Sequence, residues 1–261
     1  MSTLRCNMTI THVIFIVLIT SLFTPVTSLL AVENPKPRYA PGVVSIVHSH
    51  DYIRKHTAQT YWKISPYYLP QLTESSCSLA SATMIINAAR SDQVLYASQS
   101  LATQDSVVHR VKNKAWEHDV QSGGHGVTLD QLGDILSQVL KSYHLKQFKI
   151  NVIHTQNKSQ ETVSRLHHVL IENEKTGRSF MIANFNHKFF TGTESAGHFS
   201  PIGAYDSETK RVLIMDPYRA LYEPYWVPEK LFLDSMVTVD DDAHAFRGYL
   251  LIRWTDPTFR G

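Results

Sequence analysis

The sequence predicts an α+β fold, in which a helical part of the chain is followed by an antiparallel sheet. Apolar residues recur at i, i+3, i+4 and i+7 from Ala82 to Ala89, which is the spacing of one helix face. After Arg178 the chain changes to short runs rich in β-branched and aromatic residues, separated by turns. Helices and strands that are segregated along the chain favour α+β over an alternating parallel sheet.

The first 28 residues are predicted to be a signal peptide. Arg5 precedes an apolar run from Val13 to Ile19, and small residues precede a cleavage point near Ser28. This run is shorter than the roughly 20 residues of a membrane span, so export is expected, with an uncleaved membrane anchor as the alternative. Residues 29–50 are rich in proline and predict an N-terminal arm or linker, which leaves residues 51–261 for the domain itself.

Further helices are predicted before the sheet. A short helix and a loop are expected between Asp51 and Tyr68, because prolines there interrupt a longer helix. Thr128 and Gln131 form a capping box that opens a second helix, and a third is expected from about Ser159 to Glu174. The intervening segment FKINVIH alternates in polarity and predicts a strand.

Four β-rich runs follow Arg178, namely SFMIANFN, HFSPIGAYD, RVLIMDP and RGYLLIRW. The segment DSETK between the second and third runs predicts a hairpin turn. Pro228 is expected at the first position of a short helix that ends at Met236.

Composition and motifs exclude several classes of function. The chain has 25 lysines and arginines against 23 aspartates and glutamates, so it has no charge field that would attract nucleic acid. It lacks the glycine-rich nucleotide-binding motifs and the GxSxG motif of α/β-hydrolases. Neither Cys-x-x-Cys nor His-Glu-x-x-His occurs, so no built-in metal site is predicted.

Cys77 lies directly before the helical run of residues 82–89. Cleavage of the signal peptide removes Cys6 and leaves Cys77 as the one thiol of the mature chain. A helix N-terminus favours the reactive thiolate, and Ser75 or Ser76 is expected to cap the helix. Because free cysteine is among the most buried residue types, this feature alone leaves a core residue and a nucleophile both open.

His198 and Asp216 are candidate partners of this thiol. His198 follows a glycine at the start of a predicted strand, and Asp216 ends the next apolar run. If these strands form a hairpin, the two side chains are neighbours across the sheet, and a Cys–His–Asp triad is feasible. The backbone amide of Cys77 and the side-chain amide of Gln71 are candidate oxyanion donors, although Gln71 is also explained as a polar loop residue.

An acidic cluster precedes Arg247 in the segment VTVDDDAHAFRG. Such clusters are usually solvated loops. In this segment, however, an aspartate can bind an ammonium group while Arg247 binds a carboxylate through two hydrogen bonds. The segment is therefore a candidate for recognising a zwitterion.

The segments QLTESSCSLAS, GHFSPIGAYD and DPYRALYEPYWVP together resemble the catalytic domain of the phytochelatin synthases over about residues 52–254. The resemblance implies a papain-like fold and transfer of γ-glutamylcysteine between glutathione molecules. The implied catalytic residues are Cys77 as acylated nucleophile, His198 as general base and acid, Asp216 as its orienting residue and Gln71 as oxyanion donor. The implied substrate-binding residues are Arg219, Tyr222, Asp240 and Arg247, and the last two would hold the α-amino and α-carboxylate groups of the γ-glutamyl group.

The sequence departs from the family pattern at two small positions and in length. Ser78 and Ala204 stand where the family commonly has glycine, and because the sequence stops at Gly261 the cysteine-rich C-terminal region of the eukaryotic enzymes is expected to be absent. The chain looks like the short bacterial forms, so hydrolysis of glutathione to γ-glutamylcysteine and glycine is expected beside or above transfer. The resemblance implies no resident cofactor: cadmium or zinc would enter as the metal thiolate of glutathione, and a homodimer is a further expectation.

Two alternative functions remain open at this level. The first is a papain-like peptidase that acts on a different peptide. The second is an exported protein that binds a thiol or a metal without turnover. Only the first shares the acyl-transfer chemistry of the triad.

Overall fold

The computed structural model describes residues 36–91, 93–192 and 195–255, and the predicted signal peptide over residues 1–28 lies outside them. The described residues belong to one unit, which begins at Lys36. No helix in these ranges has the length and apolarity needed to cross a bilayer.

The architecture is α+β, as predicted. The helices are α1 Asp51–Lys55, α2 Gln59–Ile64, α3 Cys77–Arg90, α4 Gln104–Val111, α5 Lys114–Asp119, α6 Leu129–Ser142, α7 Gln160–Thr176 and α8 Glu229–Met236. The strands are β1 Val44–Ser45, β2 Phe148–His154, β3 Ser179–Asn186, β4 Gly197–Asp206, β5 Arg211–Ile214, β6 Tyr225–Pro228, β7 Val239–Asp240, β8 Ala245–Phe246 and β9 Gly248–Trp254.

An antiparallel sheet with the strand order β1-β6-β5-β4-β3-β9-β2 forms the centre of the fold, and β7 and β8 form a separate hairpin. Residues of one strand alternate between two hydrophobic cores. Phe180 and Ile182 face the core that contains α3 and α6, whereas Met181 and Ala183 face the core that contains α7 and α8. The sheet is therefore covered by helices on both faces.

The central helix α3 is buried along its whole length, although the sequence pattern predicts only one apolar face. Its polar side chains have partners inside the protein. Ser81 donates to the Phe199 carbonyl at 3.2 Å, and Asn87 exchanges two hydrogen bonds with the backbone of Ala102, at 2.8 and 2.9 Å. Satisfied polar groups allow this helix to be buried on every side.

The hairpin of β4 and β5 is confirmed, with Ile202 opposite Ile214 and Asp206 opposite Arg211. The register shifts between Ile202 and Ala204, so Gly203 is the extra residue of a β-bulge. A Cβ atom at Gly203 would lie 2.8 Å from Met215, which explains the need for glycine at this close approach. The bulge sets the register of the segment that ends in Asp216.

The capping box at the start of α6 is confirmed, and so are the predicted positions of α7 and β2. Three predictions need correction. Residues 51–68 contain two short helices and a 3-10 turn rather than one helix. From residue 36 the predicted arm belongs to the folded unit, where β1 pairs with β6. Pro228 is the N-cap of α8 and the last residue of β6, not the first helical residue.

Candidate active site

Cys77 is the first residue of α3, and its buried side chain lines a cavity of about 370 Å³. The predicted serine cap is wrong, since no side chain caps α3. Ser76 instead accepts hydrogen bonds from the amides of Leu72 and Thr73, and Ser75 donates to the Gly124 carbonyl. The first amides of α3 thus remain available to a negative charge beside Cys77.

The structure brings Cys77, His198 and Asp216 together. Both Asp216 and Cys77 interact with the imidazole of His198, and Nε2 of His198 lies 2.8 Å from Oδ1 of Asp216. Because an ionised carboxylate only accepts hydrogen bonds, Nε2 of His198 carries the proton that points at Asp216. Nδ1 is therefore the nitrogen that exchanges a proton with the thiol.

Electrostatics favour a charged imidazole next to the thiol. Burial acts to lower the pKa of His198, but the facing Asp216 carboxylate outweighs it and raises this pKa to about 10. Burial acts to raise the pKa of Asp216, but His198 and His187 hold it well below its usual value. His198 is thus protonated and Asp216 ionised at neutral pH, so a positive charge lies beside Cys77.

Asp216 accepts more hydrogen bonds than a triad requires. Its Oδ1 accepts a second bond from the amide of Tyr218 at 2.8 Å, in addition to that from His198. Its Oδ2 accepts from His187 at 3.0 Å and from the Tyr225 hydroxyl at 2.7 Å. Sequence reasoning missed His187 and Tyr225, although His187, like His198, lies at the end of a predicted strand.

Asp240 and Arg247 line the same cavity as Cys77. Asp240 is the last residue of β7 and Arg247 directly follows β8, and their side chains form a salt bridge of 3.2 Å. Gly197, directly before His198, faces this pair: a Cβ atom there would lie 3.1 Å from the Arg247 guanidinium. The glycine thus leaves room for the guanidinium beside the nucleophile.

Two buried polar atoms near the cavity have no hydrogen-bond partner among the described residues. They are Oδ1 of Asn184, on β3, and Nε of Arg247. Asn184 and Arg247 both line the cavity, and each is more than nine-tenths buried. Buried polar atoms are normally satisfied, so these two atoms are candidate contacts for a polar ligand in the cavity.

Gln71 is close to the nucleophile in sequence, but its amide is engaged within its own loop. Its Nε2 donates to the carbonyls of Thr73 at 2.9 Å and Glu74 at 3.3 Å. Gln71 is not among the residues that line the cavity. Its role as an oxyanion donor stays a prediction, and that role requires the side chain to turn.

Arg219 and Tyr222 line a different pocket from that of Cys77. The Arg219 guanidinium lies 4.6 Å from the ring centre of Tyr68, whose hydroxyl donates to the Asp216 carbonyl. Tyr222 is buried and meets the edge of the His187 ring at 5.1 Å between ring centres. Arg219 thus contacts a ring that is hydrogen-bonded to Asp216, Tyr222 contacts His187, and neither residue lines the cavity of Cys77.

Ser78, which departs from the family pattern, has a defined partner. Its hydroxyl accepts a hydrogen bond of 3.2 Å from the Trp116 indole, and both residues are buried. The second departure, Ala204, is a buried residue that follows the β4 bulge. Neither residue lines the cavity.

One group in the described part of the chain has enough donor atoms close together to hold a metal ion: His187, His198 and Asp216, within 4.8 Å of one another. Each imidazole, however, already donates to a separate oxygen of Asp216. These hydrogen bonds account for the cluster, and we therefore assign it to the triad.

Comparison with known proteins is consistent with this geometry. The family model of phytochelatin synthase matches residues 49–249. The chain is 26% identical over 207 residues to glutathione gamma-glutamylcysteinyltransferase 1 of Arabidopsis thaliana, which covers 77% of this chain and 38% of that protein. It is 25% identical over 207 residues to transferase 2 of the same plant, covering 77% of this chain and 41% of that protein. With transferase 3 of Lotus japonicus the identity is 28% over 196 residues, which is 75% of this chain and 38% of that protein.

The chain thus spans less than half the length of these curated relatives. The family model nevertheless covers most of the sequence, including all eight site residues that the sequence predicts. The chain belongs to the phytochelatin synthase family.

Proposed function

We propose that this chain is a glutathione γ-glutamylcysteinyltransferase with a papain-like fold, and that it also hydrolyses glutathione to γ-glutamylcysteine and glycine. One observation carries the proposal: the Asp240–Arg247 pair and Cys77 line a single cavity. The γ-glutamyl group of glutathione presents an α-ammonium and an α-carboxylate, and this pair offers an opposite charge to each. An ordinary peptide presents no such pair in mid-chain.

The first half-reaction is acylation of Cys77. The thiolate attacks the carbonyl carbon of the Cys–Gly amide while the Asp240–Arg247 pair holds the other end of the substrate. His198 then gives its Nδ1 proton to the glycine nitrogen, the C–N bond breaks, and glycine leaves. Asp216 keeps the imidazole oriented during this transfer, as the aspartate of a triad does.

The second half-reaction releases the acyl group. His198, now neutral, takes a proton from water or from the amine of a second glutathione, which attacks the thioester carbonyl. The C–S bond breaks and returns Cys77 as thiolate. Water gives γ-glutamylcysteine, whereas the amine gives a longer peptide.

An oxyanion forms in both half-reactions and needs hydrogen-bond donors. The backbone amide of Cys77 is one donor, because no side chain caps the start of α3. The side-chain amide of Gln71 is the proposed second donor, after it leaves the carbonyls of Thr73 and Glu74. Removing such a donor costs about 10²–10³ in rate, so we expect Gln71→Ala to slow acylation by that factor.

Cadmium or zinc is proposed to act as part of the substrate. Thiolates bind these metals strongly, so glutathione would arrive at Cys77 as a metal thiolate. Added metal is therefore expected to change the ratio of longer peptides to γ-glutamylcysteine.

The decisive experiment incubates the purified chain with glutathione, with and without cadmium, and resolves glycine, γ-glutamylcysteine and longer peptides. Glycine release that is lost in Cys77→Ser is the expected result. Mass spectrometry should detect a γ-glutamylcysteinyl thioester on Cys77, which a protein that merely binds thiols or metals cannot form. Equal glycine levels in the wild type and Cys77→Ser would refute the proposal.

Export is a separate proposal, supported by the apolar run from Val13 to Ile19. N-terminal sequencing of the protein from the exported fraction should begin after Ser28. A chain that retains Met1 in a membrane fraction would favour the uncleaved anchor.

A further inference from the structure

His187 is a buried histidine outside the predicted triad. It follows β3 and begins a 3-10 turn of residues His187–Phe189. Its Nε2 lies 3.0 Å from Oδ2 of Asp216, the oxygen that His198 does not use. Its ring stacks on that of His198, with 4.6 Å between centres and 28° between planes.

Four titratable groups face His187, each from a different part of the fold. Asp216 follows β5, and His198 lies on β4. Tyr222 meets its ring edge-on, and Tyr225 of β6 shares Oδ2 of Asp216 with it. Burial and the charge of His198 lower the pKa of His187, while Asp216 acts in the opposite direction. His187 is thus neutral when His198 is charged.

The tautomer of His187 follows from its partner. Asp216 is ionised and can only accept, so the neutral ring carries its proton on Nε2. This N–H group donates a hydrogen bond to Oδ2 of Asp216, which holds the carboxylate in place and partly compensates its negative charge, so that less of this charge acts on His198. A protonated His187 would instead repel the charged His198 at close range.

We propose that His187 is a positioning residue. Its neutral ring fixes the orientation of the Asp216 carboxylate and weakens the electrostatic attraction between that carboxylate and the His198 imidazolium. This inference rests on the proposed function for its kinetic consequences, but its electrostatic consequence is independent of any substrate. It predicts that His187 affects the proton affinity of His198 without touching the substrate.

Two variants separate the hydrogen bond from the shape of the ring. His187→Phe keeps an aromatic ring in the stack and removes the donor. His187→Gln offers an amide donor at about the reach of Nε2. In His187→Phe, Oδ2 keeps more negative charge, so His198 should hold its proton to higher pH, by about half a unit to one unit.

Imidazole NMR titration of protein labelled with ¹⁵N-histidine, without glutathione, measures this shift. We expect a raised His198 midpoint in His187→Phe and a midpoint near that of the wild type in His187→Gln. In glycine release, kcat of His187→Phe should fall about tenfold with little change in KM, because the carboxylate is less well fixed. Thermal unfolding of each variant checks that it is folded.

An unchanged His198 midpoint in folded His187→Phe would overturn the inference, since His187 would then only fill space. If His187→Phe does not fold, the titration of His187→Gln decides. The His198 imidazole of that variant must show the wild-type midpoint, and a large shift of this midpoint would overturn the inference. Absence of glycine release by the wild type would refute the proposed function alone, because the NMR titration needs no substrate.

Discussion

Asp216 has no exposed surface, yet it is ionised and accepts four hydrogen bonds. A buried charge costs several kcal/mol unless hydrogen bonds or an opposite charge compensate for it. Here the compensating groups come from His198, His187, Tyr225 and the backbone of Tyr218. The carboxylate is thus both the orienting group of the proposed triad and the point at which four segments meet.

Replacement of Asp216 by asparagine should uncouple His198 from its protonated state. Without the carboxylate, burial dominates and the pKa of His198 falls, so the alkaline limit of kcat should move down from near 10. Activity at neutral pH should fall about 10³–10⁴-fold, as in other triads. A pH series of glycine release measures both effects, with the exposed Asp241→Asn as control. An alkaline limit that stays in place would contradict the assigned role of Asp216.

The raised pKa of His198 also predicts how the stability of the fold changes with pH. The pKa of His198 is raised in the folded state, so its contribution to stability is complete below about 6.5 and is lost as pH rises through about 10. Each kcal/mol lost should lower Tm by about 2–4 °C in a domain of this size. Scanning calorimetry between pH 6 and pH 10 tests this, and Asp216→Asn should show a flatter profile. Identical profiles would contradict the shift.

At the residue scale, the sequence predicts chemistry better than it predicts packing. The hairpin rule correctly brings His198 next to Asp216, because strand pairing is set by local turn signals. His187 was missed because its contact with Asp216 depends on where the β3–β4 connection turns back. The same limitation applies to Arg219, whose contact with the Tyr68 ring depends on the loop after β5.

Helix α3, which begins at Cys77, is joined to helix α5 by a hydrogen bond from the Trp116 indole to the Ser78 hydroxyl. Ser78→Ala should leave the buried indole N–H unsatisfied and reduce the free energy of unfolding by about 1–3 kcal/mol. Urea unfolding measures the loss. In a Trp116→Phe background, Ser78→Ala should reduce the free energy of unfolding much less. An equal reduction in both backgrounds would show that the hydrogen bond contributes nothing to stability.

The β7–β8 hairpin carries the charges that distinguish the proposed substrate from an ordinary peptide. Asp240→Asn should raise KM for glutathione about tenfold or more, because a charged hydrogen bond contributes about 1.5–3 kcal/mol. Activity on peptides without a γ-glutamyl group should change far less. Asp241→Asn, one residue along the same hairpin, is the matched control. Equal losses on both substrate types would favour a general papain-like peptidase.

At the element scale, length and amphipathic contrast decide what the sequence reveals. Helix α6 has both a capping box and an apolar face, so its start is predicted to the residue. Helices α4 and α5 are short and were missed, although Thr103 and Asn113 cap them with side-chain hydrogen bonds. The edge strand β1 has two residues, too few for any alternating pattern.

The whole molecule places its site between two hydrophobic cores. Cys77 and Phe199 belong to the core around α3, whereas Tyr222 and Tyr225 belong to the core around α8. Asp216 is linked to the core around α3 through its hydrogen bond with His198, and to the core around α8 through its hydrogen bond with Tyr225. The geometry of the triad therefore requires both cores.

Loss of activity and loss of structure should therefore coincide. In a urea series, glycine release and tryptophan fluorescence are expected to share one midpoint, as in a two-state transition. Tryptophan fluorescence mainly reports the core around α3, which contains Trp116, Trp226 and Trp254, whereas Trp62 is exposed. If activity is lost at clearly lower urea concentration, the core around α8 unfolds separately and the two cores are not one cooperative unit.

Gly197 has a consequence for sorting related sequences by activity. A side chain at this position would crowd the Arg247 guanidinium, which would have to move by a few tenths of an ångström. A glycine directly before His198 therefore leaves space for Arg247, the residue for which we propose binding of the substrate carboxylate. Related chains that share the cysteine, histidine and aspartate but have a bulky residue at the position of Gly197 are expected to act on substrates that lack a free amino-acid head group.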